Sequence, residues 1–226
     1  DLFAAASERP HALALRSDEG VELTFAELSA RAAGFLSRVP SLAPGARVAV
    51  HATNRASTFV ALHALVAARV PFVLLHPRLA PAQSAALVLD AGCALALDDE
   101  ALRALCAPSD AVLSPTTGPA IERAPLAVLY TSGSSGAPKG AVLSRRAFTA
   151  SAAASERALG LTERDRWLLA LPVCHIGGLS VLTRCLAARC AVLLHARFDA
   201  DRVLESVVRD GATVLSVVPT MLHGLL

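Results

Sequence analysis

Residues 130–140 (YTSGSSGAPKG) combine residue types that could perform chemistry on a phosphorylated ligand. Glycines adopt backbone angles that other residues avoid, so backbone amides in such a segment can approach an anion closely. Hydroxyl groups donate hydrogen bonds to phosphate oxygens, and a lysine adds a mobile positive charge. The segment therefore predicts a phosphate-binding loop with these candidate residues: Thr131, Ser132, Gly133, Ser134, Ser135, Gly136 and Lys139.

This segment differs from two familiar nucleotide-binding motifs. A Walker A loop places Gly-Lys-Ser/Thr at its end, whereas Ala137 and Pro138 stand between Gly136 and Lys139 here. The dinucleotide-binding pattern GxGxxG is also absent. Composition alone would favour a flexible surface loop. The apolar strand predicted before the segment, and the Pro and Lys at its far end, favour phosphate binding instead.

Residues 171–184 (LPVCHIGGLSVLTR) hold the second group of candidates. Taken by itself, His175 is typical of a histidine at the start of a helix, and Gly177 and Gly178 are typical of helix-entry glycines. Arg184 falls in an otherwise apolar helix, where it either faces solvent or needs a buried partner. Cys174 is interpreted as a core residue, because neighbours in an extended chain point to opposite sides.

Short apolar runs alternate with amphipathic stretches along the chain, which predicts an α/β fold with parallel-type layered sheets flanked by helices. A stretch rich in proline, residues 107–125, is the predicted linker between lobe one, about 1–120, and lobe two, about 121–226. The predicted strands are residues 47–51, 72–75, 94–97, 126–131, 167–171, 191–195 and 213–218. The predicted helices are residues 58–69, 81–91, 145–159, 179–188 and 200–209.

Composition excludes several classes of protein. Hydrophobic residues make up 54% and charged residues 18% of the 226 residues, so the chain is not intrinsically disordered. A formal net charge of +2 gives no basic field for nucleic acid. The most apolar stretch, residues 59–75, contains His63, Arg69 and Pro71, so no membrane span is predicted.

The cysteines indicate a reducing environment. There are five of them, an odd number, and none forms a CxxC pair. The sequence therefore predicts no disulfide framework and no metal held by the protein, but reduced thiols in the cytoplasm.

The glycine-rich segment resembles the YTSGSTGxPKG signature of the adenylate-forming enzymes, which include acyl- and aryl-CoA ligases, luciferases and peptide-synthetase adenylation domains. One core position differs, Ser135 for the usual Thr, and it keeps the hydroxyl. Residues 23–28 (LTFAEL), 45–50 (GARVAV) and 171–178 (LPVCHIGG) resemble further family segments. Cys174 stands where the family usually has an aromatic residue, and Arg145 stands where it commonly has His.

Within the family, residues 171–184 and 191–199 most resemble the o-succinylbenzoate–CoA ligases of menaquinone biosynthesis. The resemblance implies ATP, Mg²⁺, coenzyme A and a small-molecule carboxylic acid as ligands. In the family reaction the carboxylate attacks the α-phosphate of ATP and expels pyrophosphate, and the thiol of coenzyme A then displaces AMP. Fixed donors and Mg²⁺ hold the charge that develops on the pyrophosphate.

The resemblance also implies roles for individual residues. The glycine-rich loop with Lys139 would cradle the β- and γ-phosphates, and His175 would lie beside the acyl carboxylate and the α-phosphate. Gly177 and Gly178 would lie against the aryl ring of the substrate. Arg184 would meet the second carboxylate of o-succinylbenzoate.

Several family motifs do not occur in these 226 residues: the acidic YGxTE segment, the ribose-binding TGD, the hinge and the C-terminal lobe with its catalytic lysine. We therefore expect an incomplete N-terminal part of the enzyme, which partners the missing C-terminal half of its own chain and turns over little alone. Three alternatives stay open: another aryl- or fatty-acyl-CoA ligase, a carrier-protein adenylation domain, or a nucleotide-binding fragment without catalysis.

Overall fold

The computed structural model describes residues 1–114, 122–131 and 138–226. Over these residues the chain forms helices and strands in the order α1 (Leu2–Glu8), β1 (Leu13–Ser17), β2 (Glu22–Thr24), α2 (Phe25–Arg38), β3 (Arg47–His51), α3 (Ala56–Ala67), β4 (Phe72–Leu75), α4 (Pro81–Asp90), β5 (Cys93–Leu97), α5 (Asp99–Leu105), β6 (Pro125–Thr131), β7 (Lys139–Ser144), α6 (Arg145–Leu159), β8 (Arg166–Leu169), α7 (Ile176–Ala188), β9 (Ala191–Leu194), α8 (Ala200–Arg209), β10 (Val214–Leu215) and α9 (Pro219–Leu225). No helix among them combines the length and the apolar character that crossing a membrane requires.

The strands form two five-stranded sheets. The first sheet has the order β10-β8-β9-β1-β2, and the second has the order β5-β3-β4-β6-β7. Neighbouring strands are parallel except at one edge of each sheet, where β2 pairs antiparallel with β1 and β7 pairs antiparallel with β6. The predicted α/β class with parallel layered sheets and flanking helices is confirmed.

Local sequence signals fix where several helices begin and end. Thr24 and Glu27 form a capping box at the start of α2, and the Ser144 hydroxyl accepts from the Ala147 amide at the start of α6. Both contacts satisfy amides that a helix leaves unpaired. Gly160 ends α6 with a φ of +64°, a backbone angle that glycine adopts without strain.

One large apolar core joins the two sheets. It contains Leu15 of β1 and Trp167 of β8 from the first sheet, and Val48 of β3 and Leu126 of β6 from the second. Phe59 of α3 is buried in the same core. The two sheets therefore share one interior, so a loop at the end of one sheet can be held by residues of the other.

Each predicted helix and strand has a counterpart in the structure, with ends that differ by a few residues. The helices α1, α2 and α5 were not predicted. The antiparallel strand β7 follows the glycine-rich segment, and β1 and β2 were not predicted. The strand predicted over residues 213–218 is only Val214–Leu215. Residues 107–114 contain no helix or strand. The two-lobe division near residue 120 stays a prediction, and the sheets do not follow it, because β1 and β2 join β8–β10.

Candidate active site

The second sheet opens a crevice at the carboxyl ends of β3 and β4. Val48 and Val50 of β3 face the main core together with α3, whereas Ala49 packs with α4 on the opposite face. The chain therefore leaves β3 and β4 toward opposite faces of the sheet, which is where open α/β sheets bind ligands. His51 ends β3 and His76 follows β4 at this edge.

Thr131 and Lys139 bracket the glycine-rich segment at the end of the β6–β7 hairpin. Their Cα atoms are partners in the antiparallel ladder, and the Thr131 hydroxyl donates to the Lys139 carbonyl oxygen at 3.4 Å. Both residues are exposed. The other predicted phosphate-binding residues lie outside the described part of the chain: Ser132, Gly133, Ser134, Ser135 and Gly136.

The hairpin ends beside the crevice. Leu129 of β6 pairs in parallel register with Leu74 of β4. Thr131 and His76 lie two positions beyond this pair on adjacent chains, and neighbouring strands are about 4.8 Å apart. The base of the glycine-rich segment is therefore adjacent to the residue that follows β4.

Asn54, buried in the connection between β3 and α3, fixes a second loop against the same edge. Its side-chain amide donates to the carbonyl oxygens of Leu171 at 2.9 Å and His195 at 3.0 Å, and its oxygen accepts from the Val173 amide at 2.9 Å. These bonds tie the loop after β8 and the end of β9 to the second sheet. His175 is the last residue of this loop and directly precedes α7.

His76, Cys174 and His175 form a cluster of side chains at this edge. Their ligand atoms all lie within 4.8 Å of one another, and the two histidine ring centroids are 5.6 Å apart. Burial, then the neighbouring His175 and Arg78, lower the pKa of His76. Burial raises the pKa of the Cys174 thiol to about 11, so this thiol is not an activated nucleophile.

Cys174 is a core residue as the sequence indicated, with 5% of its surface exposed. The expectation that Cys174 and His175 point apart is wrong, because the chain is not extended here. The His175 amide donates to the Pro172 carbonyl oxygen at 3.1 Å, which closes a turn over residues 172–175. The turn brings the thiol and the imidazole into one cluster.

Gly178 allows α7 to begin against the preceding backbone. A Cβ at this position would lie 2.3 Å from the Pro172 carbonyl oxygen and 2.9 Å from that of Leu171. A Cβ at Gly177 would meet only a methyl group of Leu171, at 3.3 Å. Gly178 is thus required by packing, and contact of Gly177 and Gly178 with a substrate ring stays a prediction.

Arg184 lies on α7, about 13 Å further along the axis than His175 at 1.5 Å per residue. Its guanidinium carbon is 5.6 Å from the Trp167 ring centroid, and one of its nitrogens is 3.4 Å from Ser151 Oγ. The side chain is half-buried and does not face solvent freely. The structure does not bring Arg184 to His175, and its contact with a second carboxylate stays a prediction.

Three residues of this edge were not anticipated from sequence: His51, Asn54 and His76. Each follows or ends a buried apolar strand, so a polar residue at that position was the available signal. Their presence at one edge of the sheet depends on pairing between distant segments, which the local sequence does not encode.

The match to a family model decides the family. The model for AMP-binding enzymes matches residues 2–226. The chain belongs to the AMP-binding enzyme family. The 2-succinylbenzoate–CoA ligase of Bacillus velezensis is 34% identical over 92% of this chain, and that of Bacillus subtilis is 33% identical over 100% of it. The chain spans about half the length of these curated relatives, 46% and 49% respectively.

Solved structures of the family resemble this chain closely. O-succinylbenzoate coenzyme A synthetase of Bacillus subtilis, in complex with ATP and magnesium ion, superimposes with a TM-score of 0.85 at 31% identity, over 99% of this chain and 64% of that one. MatB from Rhodopseudomonas palustris, without ligand, gives a TM-score of 0.84 at 26% identity, over 99% of this chain and 50% of that one.

Proposed function

We propose that this chain supplies the ATP- and acid-binding part of an ATP-dependent acid–CoA ligase, with o-succinylbenzoate as the acid. The observation that best supports this proposal is that the candidate residues lie at one edge of the second sheet. The two ends of the glycine-rich segment, Thr131 and Lys139, lie at the same sheet edge as His175. The relatives are named 2-succinylbenzoate–CoA ligases, which supports the choice of o-succinylbenzoate as the acid. The whole reaction would belong to a protein about twice this length.

The exposure of Lys139 and its pairing with Thr131 next to the glycine-rich segment support a role in holding the triphosphate. It is the only lysine in a sequence whose other basic side chains are arginines, and it forms no ion pair with another described residue. An ammonium group on a flexible stem can follow the pyrophosphate as it leaves, whereas a guanidinium prefers a fixed bidentate partner. Lys139 would therefore stabilise the charge on the leaving group.

Mg²⁺ and coenzyme A belong to the same proposal. Mg²⁺ is held mostly by substrate phosphates and oxygen donors, and the exposed hydroxyl of Thr131 is such a donor at the base of the loop. When bound, the ion neutralises charge on the β- and γ-phosphates. His175, which is exposed, would orient the acyl carboxylate toward the α-phosphate and border the path of the coenzyme A thiol.

The chain is proposed to work in the cytoplasm. All five cysteines are free thiols. Four of them, Cys106, Cys174, Cys185 and Cys190, are buried. Unpaired buried thiols are typical of proteins from reducing compartments.

Pyrophosphate exchange in the protein as its gene encodes it tests the proposal. Lys139→Ala should lower the acid-dependent exchange rate by about 100-fold or more, the usual effect of deleting one donor to a charged transition state. Arg146→Ala, which removes an exposed cation from the start of α6, should leave exchange within a few-fold of the wild-type rate.

The outcomes separate the alternatives. Equal exchange in Lys139→Ala and wild type would remove Lys139 from the mechanism. ATP binding with no exchange for any carboxylic acid would support a nucleotide-binding protein without catalysis. Exchange that is faster with another aryl or fatty acid than with o-succinylbenzoate would retain the ligase and change its substrate.

A further inference from the structure

The cluster of His76, Cys174 and His175 combines two imidazoles and one thiol at the carboxyl edge of the second sheet. The ligand atoms all lie within 4.8 Å of one another. Around a tetrahedral Zn²⁺, with Zn–N near 2.0 Å and Zn–S near 2.3 Å, such atoms are about 3.3–3.7 Å apart. The ligand atoms therefore need to approach one another by at most about 1.5 Å to share an ion.

The spacing of the two histidine rings fits a common ion. Two imidazoles on a tetrahedral Zn²⁺ have ring centroids about 5 Å apart, given the same Zn–N distance. The centroids of His76 and His175 are 5.6 Å apart. The rings are tilted by 45°, so they do not stack face to face.

The donor types select the kind of cation. Two imidazole nitrogens and a thiolate favour Zn²⁺ or another thiophilic divalent ion and disfavour Mg²⁺, which prefers oxygen. Cys174 lies at the buried end of the cluster and His175 at the exposed end. Three protein ligands with an exposed side leave a fourth position for water or a carboxylate.

Arg78 opposes cation binding in two ways. The Arg78 amide donates to His76 Nδ1 at 3.0 Å, so ligation through this ring must break or rearrange one hydrogen bond. The Arg78 guanidinium also acts electrostatically on both His76 and Cys174, and its charge repels a cation. One backbone hydrogen bond and one exposed charge are small effects beside three coordinate bonds.

We propose that His76, Cys174 and His175 bind one thiophilic divalent cation such as Zn²⁺. The sequence alone predicted no such site, because His76 follows β4 whereas the other two residues lie in the loop after β8. The cation would occupy His175 and so compete with the acid substrate. This consequence for activity rests on the proposed function, whereas the binding site itself does not.

Cobalt substitution tests the site without any assay of activity. The protein as its gene encodes it is titrated with Co²⁺, and absorption is followed in the near ultraviolet and the visible. Wild type should bind one equivalent at this site with a thiolate-to-cobalt charge-transfer band and the intense visible bands of tetrahedral Co²⁺. Zn²⁺ should bleach both sets of bands.

Substitutions locate the binding. Cys174→Phe, which restores the aromatic residue usual in the family, should abolish the charge-transfer band. His76→Ala should weaken Zn²⁺ binding by about 100-fold, at or beyond the top of the range for losing an outer-sphere partner. Cys93→Ser, a matched loss of a half-buried thiol elsewhere, should leave the spectrum unchanged. Arg78→Ala should tighten binding a few-fold.

Either of two results would overturn the proposal. A charge-transfer band that persists in Cys174→Phe would place the ion on another cysteine. Octahedral Co²⁺ spectra without a thiolate band in the wild-type protein would show that the three side chains do not share an ion. A folded Cys174→Phe protein, checked by its cooperative unfolding, keeps either result interpretable.

Discussion

At the scale of single residues, Asn54 holds together the parts that carry the site. Its three hydrogen bonds join the connection after β3 to the loop after β8 and to His195, which follows β9. Asparagine suits this position because its amide offers both donors and an acceptor on one short side chain. The backbone groups that it satisfies are internal, so water cannot readily replace it.

Asn54→Ala should therefore destabilise the protein by about 3 kcal/mol, because it leaves buried backbone groups unpaired at a cost of about 1–3 kcal/mol each. Urea unfolding followed by tryptophan fluorescence measures this, since Trp167 is buried in the same core. Asn54→Asp should not restore stability, because a carboxylate keeps the bond from Val173 and loses both donors.

Gln83→Ala is the matched control for that measurement. Gln83 also bonds a backbone amide, that of Ala80 at 3.0 Å, but it does so at the exposed start of α4. Its loss should cost less than about 1 kcal/mol, because water takes over an exposed hydrogen bond. Similar costs for Asn54→Ala and Gln83→Ala would mean that the bonds of Asn54 do not hold the loop.

At the scale of elements, the start of α7 is set by two adjacent glycines with different surroundings. Gly178 contacts the backbone of the preceding turn, which cannot move without displacing His175. A Cβ at Gly177 would meet only a leucine methyl group, which can rotate away. The same helical sequence thus contains one position closed to a Cβ and one open to it.

Gly178→Ala should cost about 3 kcal/mol, the upper part of the range for forcing a methyl group into a packed site. Gly177→Ala should be close to neutral, since the helix preference of alanine offsets a mild contact. Thermal unfolding of both variants checks the difference. Equal melting temperatures would contradict the close approach of α7 to the Pro172 carbonyl oxygen.

The elements that the sequence predicted correctly share a local signal. β3, β4 and β6 are apolar runs buried on both faces, and α6 and α8 begin at Ser144 and Asp199, which cap them with their side chains. β7 has no such signal, because it lies at the edge of its sheet and is mostly exposed. Its place is determined by pairing with β6.

The candidate site also has one part with a local sequence signal and another part that only the fold brings together. The glycine-rich segment could be proposed from sequence because its chemistry would lie in consecutive residues. The approach of His76 to His175 could not, because it requires the second sheet and the loop after β8 to meet in space. Arg184 was ambiguous for this reason too, since only the fold places Trp167 and Ser151 beside it.

At the scale of the whole molecule, one ionisable group lies at the junction of three helices in the shared core. His63 of α3 is 4% exposed, its ring lies 4.3 Å from that of Phe59, and its Nδ1 is bonded to the Phe59 carbonyl oxygen at 2.8 Å. Side chains of α6 and α7, including Phe148 and Leu179, surround it. Burial lowers the pKa of His63 from 6.5 to about 4.

This shift makes the stability of the whole chain depend on pH. Between pH 6.5 and about 4 the unfolded chain binds a proton at His63 and the folded chain does not. The contribution of neutral His63 to the free energy of unfolding is therefore fully present above pH 6.5 and is lost as pH falls toward 4. The total loss is about 3 kcal/mol, at 1.36 kcal/mol per pKa unit. Below pH 4 this residue causes no further loss.

His63→Leu should remove that part of the acid sensitivity. Urea unfolding at pH 7 and at pH 4.5 gives the difference in free energy of unfolding between the two conditions. The difference should be smaller in His63→Leu than in wild type by about 2–3 kcal/mol, whatever the absolute stability of the variant. His11→Leu, at an exposed position, should leave the difference unchanged.

An identical acid-induced loss of stability in wild type and His63→Leu would mean that water reaches the His63 ring in the native state. The core that joins the two sheets would then admit water at α3. Packing in this core could then not explain how the site residues are held in place.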